Sequence, residues 1–273
     1  MRKVALVTGA SSGLGASTVR MLAAKGWDVV VNYAKNRKAA EDVAAECRAL
    51  GAEALVCQAD VTSDDDCRRL VDETVKKFGR IDALVNSAGY TKFVDHADLE
   101  GLKSDDFARI LMVNVLGPYQ MIRAAAPHLK ATGAGSVVNV SSISGVVAGG
   151  SCHAYGASKA GVNNLTKSLA RVLGPEIRIN AVCPGFMNTP WMSSNLGEER
   201  KEIYRKQWQT QTPLKMAAEP EDVAEIVVWF LEAAGLVTGQ VLVTDAGYTL
   251  GAPPNHSKMA SERRAEAEKE KAS

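Results

Sequence analysis

The chain has 273 residues, a formal net charge of +1 and 46% hydrophobic content, enough for one large α/β domain or two small ones. Near-neutral charge without a face-sized basic block removes the electrostatic case for nucleic acid or an anionic membrane. The apolar runs fall short of the roughly 20 residues of a membrane span, and Met1-Arg2-Lys3 leads straight into a strand with no apolar leader, so the expected compartment is the cytoplasm.

Val4 to Val7 is an aliphatic run suited to a strand buried on both faces. It runs into Thr8-Gly9-Ala10-Ser11-Ser12-Gly13-Leu14-Gly15 and then a helical pattern through Ala24. Glycines between a strand and a helix let the backbone approach a pyrophosphate, while the helix start offers unpaired N–H groups to the anion. A second strand, Asp28 to Asn32, completes a parallel βαβ unit. At its end an acidic residue would bind the ribose 2′-hydroxyl of NAD. Here the chain reads Asn32-Tyr33-Ala34-Lys35-Asn36-Arg37 instead. Asn32, Lys35 and Arg37 could hold a 2′-phosphate that a carboxylate would repel, which favours NADP(H) over NAD(H).

A helix from Lys38 to Leu50, a strand from Glu53 to Gln58 and a helix from Cys67 to Phe78 follow, the last capped across Thr62 to Asp66. Asp60, just past a strand end, could bind a cofactor amino group. Ile81 to Val85 is the next strand, and Asn86-Ser87-Ala88-Gly89 beyond it forms a shelf of small residues for an extended ligand. Residues 90–102 form a polar loop whose His96 faces solvent. From Ser104 a long helical region is expected to break near Gly117-Pro118, since proline resists a helix interior. Asn114 lies inside that region among aliphatics, so its amide needs partners. Either local backbone supplies them, or a distorted helix lets the amide hold a water on a proton path.

Gly135 to Val140 delivers Ser141 and Ser142, and the next helix carries Tyr155 and Lys159 one turn apart on a single face. A neighbouring ammonium favours a phenolate and lowers the tyrosine pKa from about 10, so such a pair can move a proton near neutral pH. After the strand Ile177 to Val182, Pro184 and Gly185 open a segment, about 187–217, whose Trp191, Met192, Tyr204 and Trp208 suit a lid over an apolar ligand or a subunit contact. A helix from Pro220 to Leu231 and a strand from Thr238 to Val243 close the fold, and residues 251–273 form a polar charged tail. The five scattered cysteines contain no Cys-x-x-Cys pair, so neither zinc nor a disulfide framework is expected.

Together, Thr8-Gly9-x-x-x-Gly13-x-Gly15, Asn86-x-Ala88-Gly89, Asn114, Ser142, Tyr155-x-x-x-Lys159 and Pro184-Gly185 resemble the short-chain dehydrogenase/reductase family, most closely its bacterial 3-oxoacyl-carrier-protein reductase-like members. The resemblance spans about Lys3 to Tyr248 and implies a single Rossmann-type doubly wound domain over residues 1–250, with a seven-stranded parallel sheet. It implies an oxidoreductase using NADP(H) or NAD(H), a small carbonyl or alcohol substrate, in one version a carrier-bound acyl thioester, and a homotetramer. It assigns Tyr155 as proton donor, Ser142 as the hydroxyl that holds the carbonyl oxygen, and Lys159 as the group that lowers the Tyr155 pKa and binds the nicotinamide ribose. Asn114 would hold a relay water, Thr189 would contact the carboxamide, and Asp60 and Val61 would lie near the adenine. Ser11, Ser12, Leu14, Tyr33, Asn86, Ala88 and Gly89 complete the expected cofactor contacts. For a carrier-bound substrate, Lys130, Lys167 and Arg171 are the candidate cations at the mouth. An NAD-dependent sugar- or steroid-type dehydrogenase and a non-catalytic dinucleotide-binding protein are the alternative readings.

Overall fold

The computed structural model describes residues 2–251; the expected tail lies outside the described residues beyond Gly251. Seven strands form one parallel sheet in the order β3-β2-β1-β4-β5-β6-β7. They are β1 (Val4–Thr8), β2 (Asp28–Tyr33), β3 (Ala54–Gln58), β4 (Ala83–Asn86), β5 (Gly135–Val140), β6 (Ile177–Pro184) and β7 (Val241–Thr244). The helices are α1 (Gly13–Ala24), α2 (Arg37–Ala49), α3 (Asp64–Phe78), α4 (Ser104–Leu111), α5 (Gly117–Ala131), α6 (His153–Leu173), α7 (Pro190–Leu196), α8 (Glu198–Gln211) and α9 (Pro220–Glu232).

Strands buried on both faces need apolar side chains at every position, and β1 and β2 are buried throughout. Alternate residues then serve opposite cores. Ala5, Val7, Val29, Val31 and Val85 pack toward α1, α2 and α9, while Val4, Leu6, Val30, Leu84 and Val137 pack toward α3 and α5. The sheet grows outward from β1 through β2 to β3, then restarts at β4 on the other side of β1. That reversal opens a crevice beyond Thr8 and Asn86, the register partners at the carboxyl ends of β1 and β4.

Several element boundaries differ from the expected ones for identifiable reasons. Helix α3 starts at Asp64, because Ser63 caps it by accepting from Asp66 N at 3.2 Å. Strand β7 starts at Val241, because Thr238 turns aside and donates nothing to a ladder; its Oγ1 accepts from Ile179 N at 3.1 Å. The region after Ser104 does not break at Gly117-Pro118. Instead it widens into a π-turn over Met112–Leu116, which Gly117 N closes by donating to Met112 O. Pro118 lacks an N–H and sits in the first turn of α5, where none is needed. Gly117 is required there: a Cβ would stand 2.8 Å from Val61 Cγ2.

Arg178 on β6 ties the sheet to the far end of α9. Its guanidinium donates to the carbonyls of Phe230 (2.8 Å), Ala234 (3.0 Å) and Leu231 (3.2 Å), the orphan acceptors of a helix C-terminus. Arg178→Met leaves these carbonyls without their charged donor and should cost about 2–3 kcal/mol in urea unfolding. An unchanged midpoint would show that water replaces the guanidinium at no cost.

Candidate active site

The glycine turn is built from both sides of the crevice. Gly9 (φ +63°) and Gly13 (φ +52°) hold left-handed backbone. A Cβ on Gly9 would lie 2.9 Å from Ala88 Cα, and one on Gly15 2.5 Å from Gly9 O. Thr8 Oγ1 accepts from Ser87 N (3.1 Å) and Ala88 N (3.2 Å), sewing the β1 end to the β4 end. Ser12, at the N-cap of α1, makes no side-chain cap bond. The helix start therefore keeps N–H groups for an anion, and Gly13 keeps a cradle that a side chain would fill, bordered by Thr189 Cγ2 at 3.4 Å from an added Cβ. These residues fit a dinucleotide pyrophosphate.

Asn32 corrects one expectation. Its side chain is buried and already committed: Oδ1 accepts from Gly9 N (3.2 Å), and Nδ2 donates to the carbonyls of Cys57 (3.3 Å) and Ala59 (3.2 Å). It pins the glycine turn to the ends of β2 and β3 and has no free face for a 2′-phosphate. Tyr33 is buried as well. Lys35 and Arg37 stay exposed, Lys35 without an ion pair among the described residues and Arg37 in a loose contact with Glu41 at 3.9 Å. Asp60 accepts from Thr62 N and Oγ1 (3.0 and 2.8 Å), while the carbonyl of buried Val61 accepts from Gln120 Nε2 at 2.8 Å.

On the other side of the crevice, a tight turn at Ile143–Gly145 lies directly on α6. A Cβ on Gly145 would come within 2.5 Å of Lys159 C. Ser141 Oγ donates to Lys159 O (3.1 Å), and Asn163 Nδ2 donates to Gly145 O (3.1 Å). Ser141 therefore fastens the helix, whereas Ser142 Oγ faces the other way, accepting from Ser144 N (3.1 Å) and neighbouring the Tyr155 phenol.

Lys159 Nζ donates to Val140 O at 2.8 Å and lies 5.5 Å from the Tyr155 ring centroid. This placement overturns the expected direction of the tyrosine shift. The ammonium covers the ring rather than the phenol oxygen, and burial dominates: it pushes Tyr155 up to about 12, with the Ser142 contact pulling the other way. Burial likewise lowers Lys159 to about 8.

Asn114 sits in the π-turn. Its Oδ1 accepts from Tyr90 N (2.8 Å), and its Nδ2 donates to Tyr90 O (2.9 Å) and Ser158 Oγ (3.0 Å). Asn114 Oδ1 and Lys159 Nζ converge on Gly89, 3.7 and 4.0 Å from the position a Cβ would take there. Asn86 Nδ2 donates to Asn139 Oδ1 (2.8 Å), and its own buried Oδ1 has no partner among the described residues.

Pro184 ends β6, and Gly185 is the seat of Trp208: a Cβ there would meet the indole at 2.4 Å. Trp208 also stacks on Tyr248 at 4.1 Å, fastening α8 to the body. Trp191 on α7 stands 6.2 Å from Tyr155 and 5.8 Å from Phe93, centroid to centroid. A depression of about 580 Å³ is lined by Thr189, Pro190, Ser193, Glu198 and Lys201, and Tyr155 is not part of its lining. Cys152 and Cys183 are buried next to the site, and His153 is exposed with its Nε2 on His96 O at 3.0 Å. His96 is not simply solvent-facing: its Nε2 reaches Gly150 O at 3.1 Å.

Lys130, Lys167 and Arg171 are not at the mouth. Helices α5 and α6 run away from the carboxyl ends of the strands, and the end of α5 abuts the start of β5, where Gly135 packs on Leu129. The three cations therefore lie toward the amino ends of the strands, away from the crevice.

Residues 9–249 match the family model described as enoyl-(acyl carrier protein) reductase. A Streptomyces violaceoruber protein named as ketoacyl reductase 2 of the granaticin polyketide synthase is 45% identical over 245 residues, 89% of this chain and 95% of that protein. The 3-oxoacyl-acyl-carrier-protein reductase of Staphylococcus aureus is 37% identical over 249 residues, 90% of this chain and 98% of that one. A solved short-chain dehydrogenase/reductase from Burkholderia xenovorans superposes with a TM-score of 0.84 at 39% identity, covering 92% of this chain and 99% of that one.

Asn32→Ala strips Gly9 N and two strand-end carbonyls of a buried partner and should cost about 2–4 kcal/mol of stability. Weaker dinucleotide binding should accompany the lowered urea midpoint, because the glycine turn loses its pin. Unaltered binding in a destabilised variant would show that the turn holds its shape without Asn32.

Proposed function

The chain belongs to the short-chain dehydrogenase/reductase family, and we propose that it reduces a ketone with NADPH, using Tyr155 as the proton donor. Membership carries the coarser statement: the protein is an oxidoreductase that interconverts carbonyl and CH–OH groups. The finer reading rests on one observation. Ser142, Tyr155, Lys159 and Asn114 converge at the carboxyl ends of β4 and β5, across the crevice from the helix start of the glycine turn, which no side chain caps.

In this reading Gly9, Gly13, Leu14 and Gly15 with Ser11, Ser12 and Thr189 hold the cofactor, and Ala88 and Gly89 keep the shelf clear for it. When bound, the reduced nicotinamide supplies a hydride to the carbonyl carbon. Ser142 Oγ orients the carbonyl oxygen, and the Tyr155 hydroxyl gives that oxygen its proton, so the C=O π bond becomes a C–O–H. A phenol pushed up to about 12 is fully protonated at neutral pH, as a donor must be. The Lys159 ammonium stabilises the phenolate left behind, and Asn114, braced by Tyr90 and Ser158, would hold the water through which the proton is restored.

The absence of any carboxylate at the end of β2, with exposed Lys35 and Arg37 beside it, supports NADPH. With Asn32 committed elsewhere, those two cations carry that preference by themselves. A higher kcat/KM for NADPH than for NADH is expected, and Lys35→Ala with Arg37→Ala should remove the difference; a strong NADH preference in the unaltered enzyme would reverse the assignment.

Tyr155→Phe should lower turnover about a hundredfold to ten-thousandfold while dinucleotide binding, read by fluorescence, is retained. Turnover equal to that of the unaltered enzyme sinks the role given to Tyr155.

The pH profile follows from burial. Reduction needs the protonated pair, and the Lys159 ammonium is lost as pH rises through about 8. Reductive kcat/KM should therefore be level below that point and fall above it. Alcohol oxidation starts from the deprotonated phenol, so with Tyr155 pushed up to about 12 it should rise only toward that more alkaline range. A reduction profile level well into the alkaline range contradicts the assignment of Lys159.

A further inference from the structure

The wall facing Tyr155 is aromatic. Trp191, 36% exposed, tilts by 37° to the Tyr155 ring, and Phe93 leans on the indole at 57°. The two aromatics come from different elements, α7 and the loop between β4 and α4, and meet across the site. Val146 and Val147, just past the turn that carries Ser142, expose apolar surface as well. The lysines nearest these aromatics in the chain are paired. Lys92 beside Phe93 is paired with Asp106 at 2.6 Å, and Lys201 on α8 with Glu198 at 2.7 Å. Lys130, Lys167 and Arg171 lie toward the amino ends of the strands.

A flexible acyl chain on a phosphate-bearing arm gains little from such a wall, since its recognition needs unpaired cations beside the entrance. A flat ring gains on both counts: its face stacks on an indole, and its rigidity leaves little rotational entropy to lose. Trp191 is also placed to adapt. It rides on a seven-residue helix bounded by Thr189 and by Gly197 at φ +79°, so α7 can yield while Trp208 keeps α8 fastened.

We propose that Trp191, backed by Phe93, is the specificity-determining residue of this site and selects cyclic, ring-fused ketones over open-chain β-oxoacyl thioesters. The proposal rests on the reading of Tyr155 as proton donor in a ketone reductase. Trp191 acts by holding the ring face while the ring carbonyl reaches Ser142 and Tyr155.

The test compares kcat/KM, with saturating NADPH, for α-tetralone and for acetoacetyl-N-acetylcysteamine. The ratio of ring to chain should favour the ring in the unaltered enzyme. It should fall about tenfold or more in Trp191→Ala, chiefly through KM for the ring ketone, and largely return in Trp191→Phe. Phe93→Ala should lower the same ratio less, and it serves as the readout if Trp191→Ala does not fold. A ratio favouring the thioester in the unaltered enzyme, or one that neither substitution moves, overturns the ring selectivity while leaving the ketone-reductase reading intact. Consumption of NADPH with neither substrate nor any other ketone sinks both.

Discussion

The arrangement depends on how closely the turn at Ile143–Gly145 lies on the backbone of α6. No side chain separates them at Gly145, and Ser141 Oγ spans from the strand end to the carbonyl of Lys159 itself. This contact fixes the helix in both depth and rotation. Ser142 and Tyr155 are thirteen residues apart in the chain, yet their separation in space is set by backbone against backbone rather than by flexible side chains. The preorganisation needed to hold a carbonyl oxygen between two hydroxyls follows from that contact. Asn163 secures the same turn from one helical turn beyond Lys159.

The same burial that gives precision sets the electrostatics. An ammonium and a phenol side by side in water would each adjust little. Here the lysine is buried and the tyrosine partly so, and each is driven toward its neutral form, the lysine down and the tyrosine up. The lysine keeps its charge near neutrality only narrowly, supported by the carbonyl of Val140. A site poised in this way responds strongly to any further charge placed in the crevice.

The fold was legible because its signals are local. Continuous aliphatic runs, glycines between strand and helix, and polar strand ends each report on a few residues, and all seven strands lie close to where those signals fall. Boundaries shifted where a side chain took over a backbone role, as Ser63 and Thr238 do. The site was legible where a residue type has one chemical use, such as Tyr155 four residues before Lys159. It was misread where a residue can serve either ligand or scaffold. Asn32 has the composition of a phosphate ligand but the position of a brace, and only the proximity of Gly9 N and the carbonyls of Cys57 and Ala59 decides between the two. Phe93 gave no sequence signal, because its meaning comes from an indole nearly a hundred residues later.

The polarity of the sheet explains why cations are easily misassigned. A parallel strand delivers its carboxyl end to the crevice, and the helix that follows carries the chain away from it. Residues early in α6 therefore belong to the site, whereas Lys167 and Arg171, two and three turns further on, lie toward the amino ends of the strands. The same rule leaves the crevice to strand ends and to segments that depart from the strand–helix alternation: the loop after β4 and the insertion between β6 and α9. The strand ends carry the proton chemistry and are fixed by backbone contacts. The two departing segments meet at Trp191 and Phe93, so the molecule can change what it recognises there without disturbing the groups that move the proton.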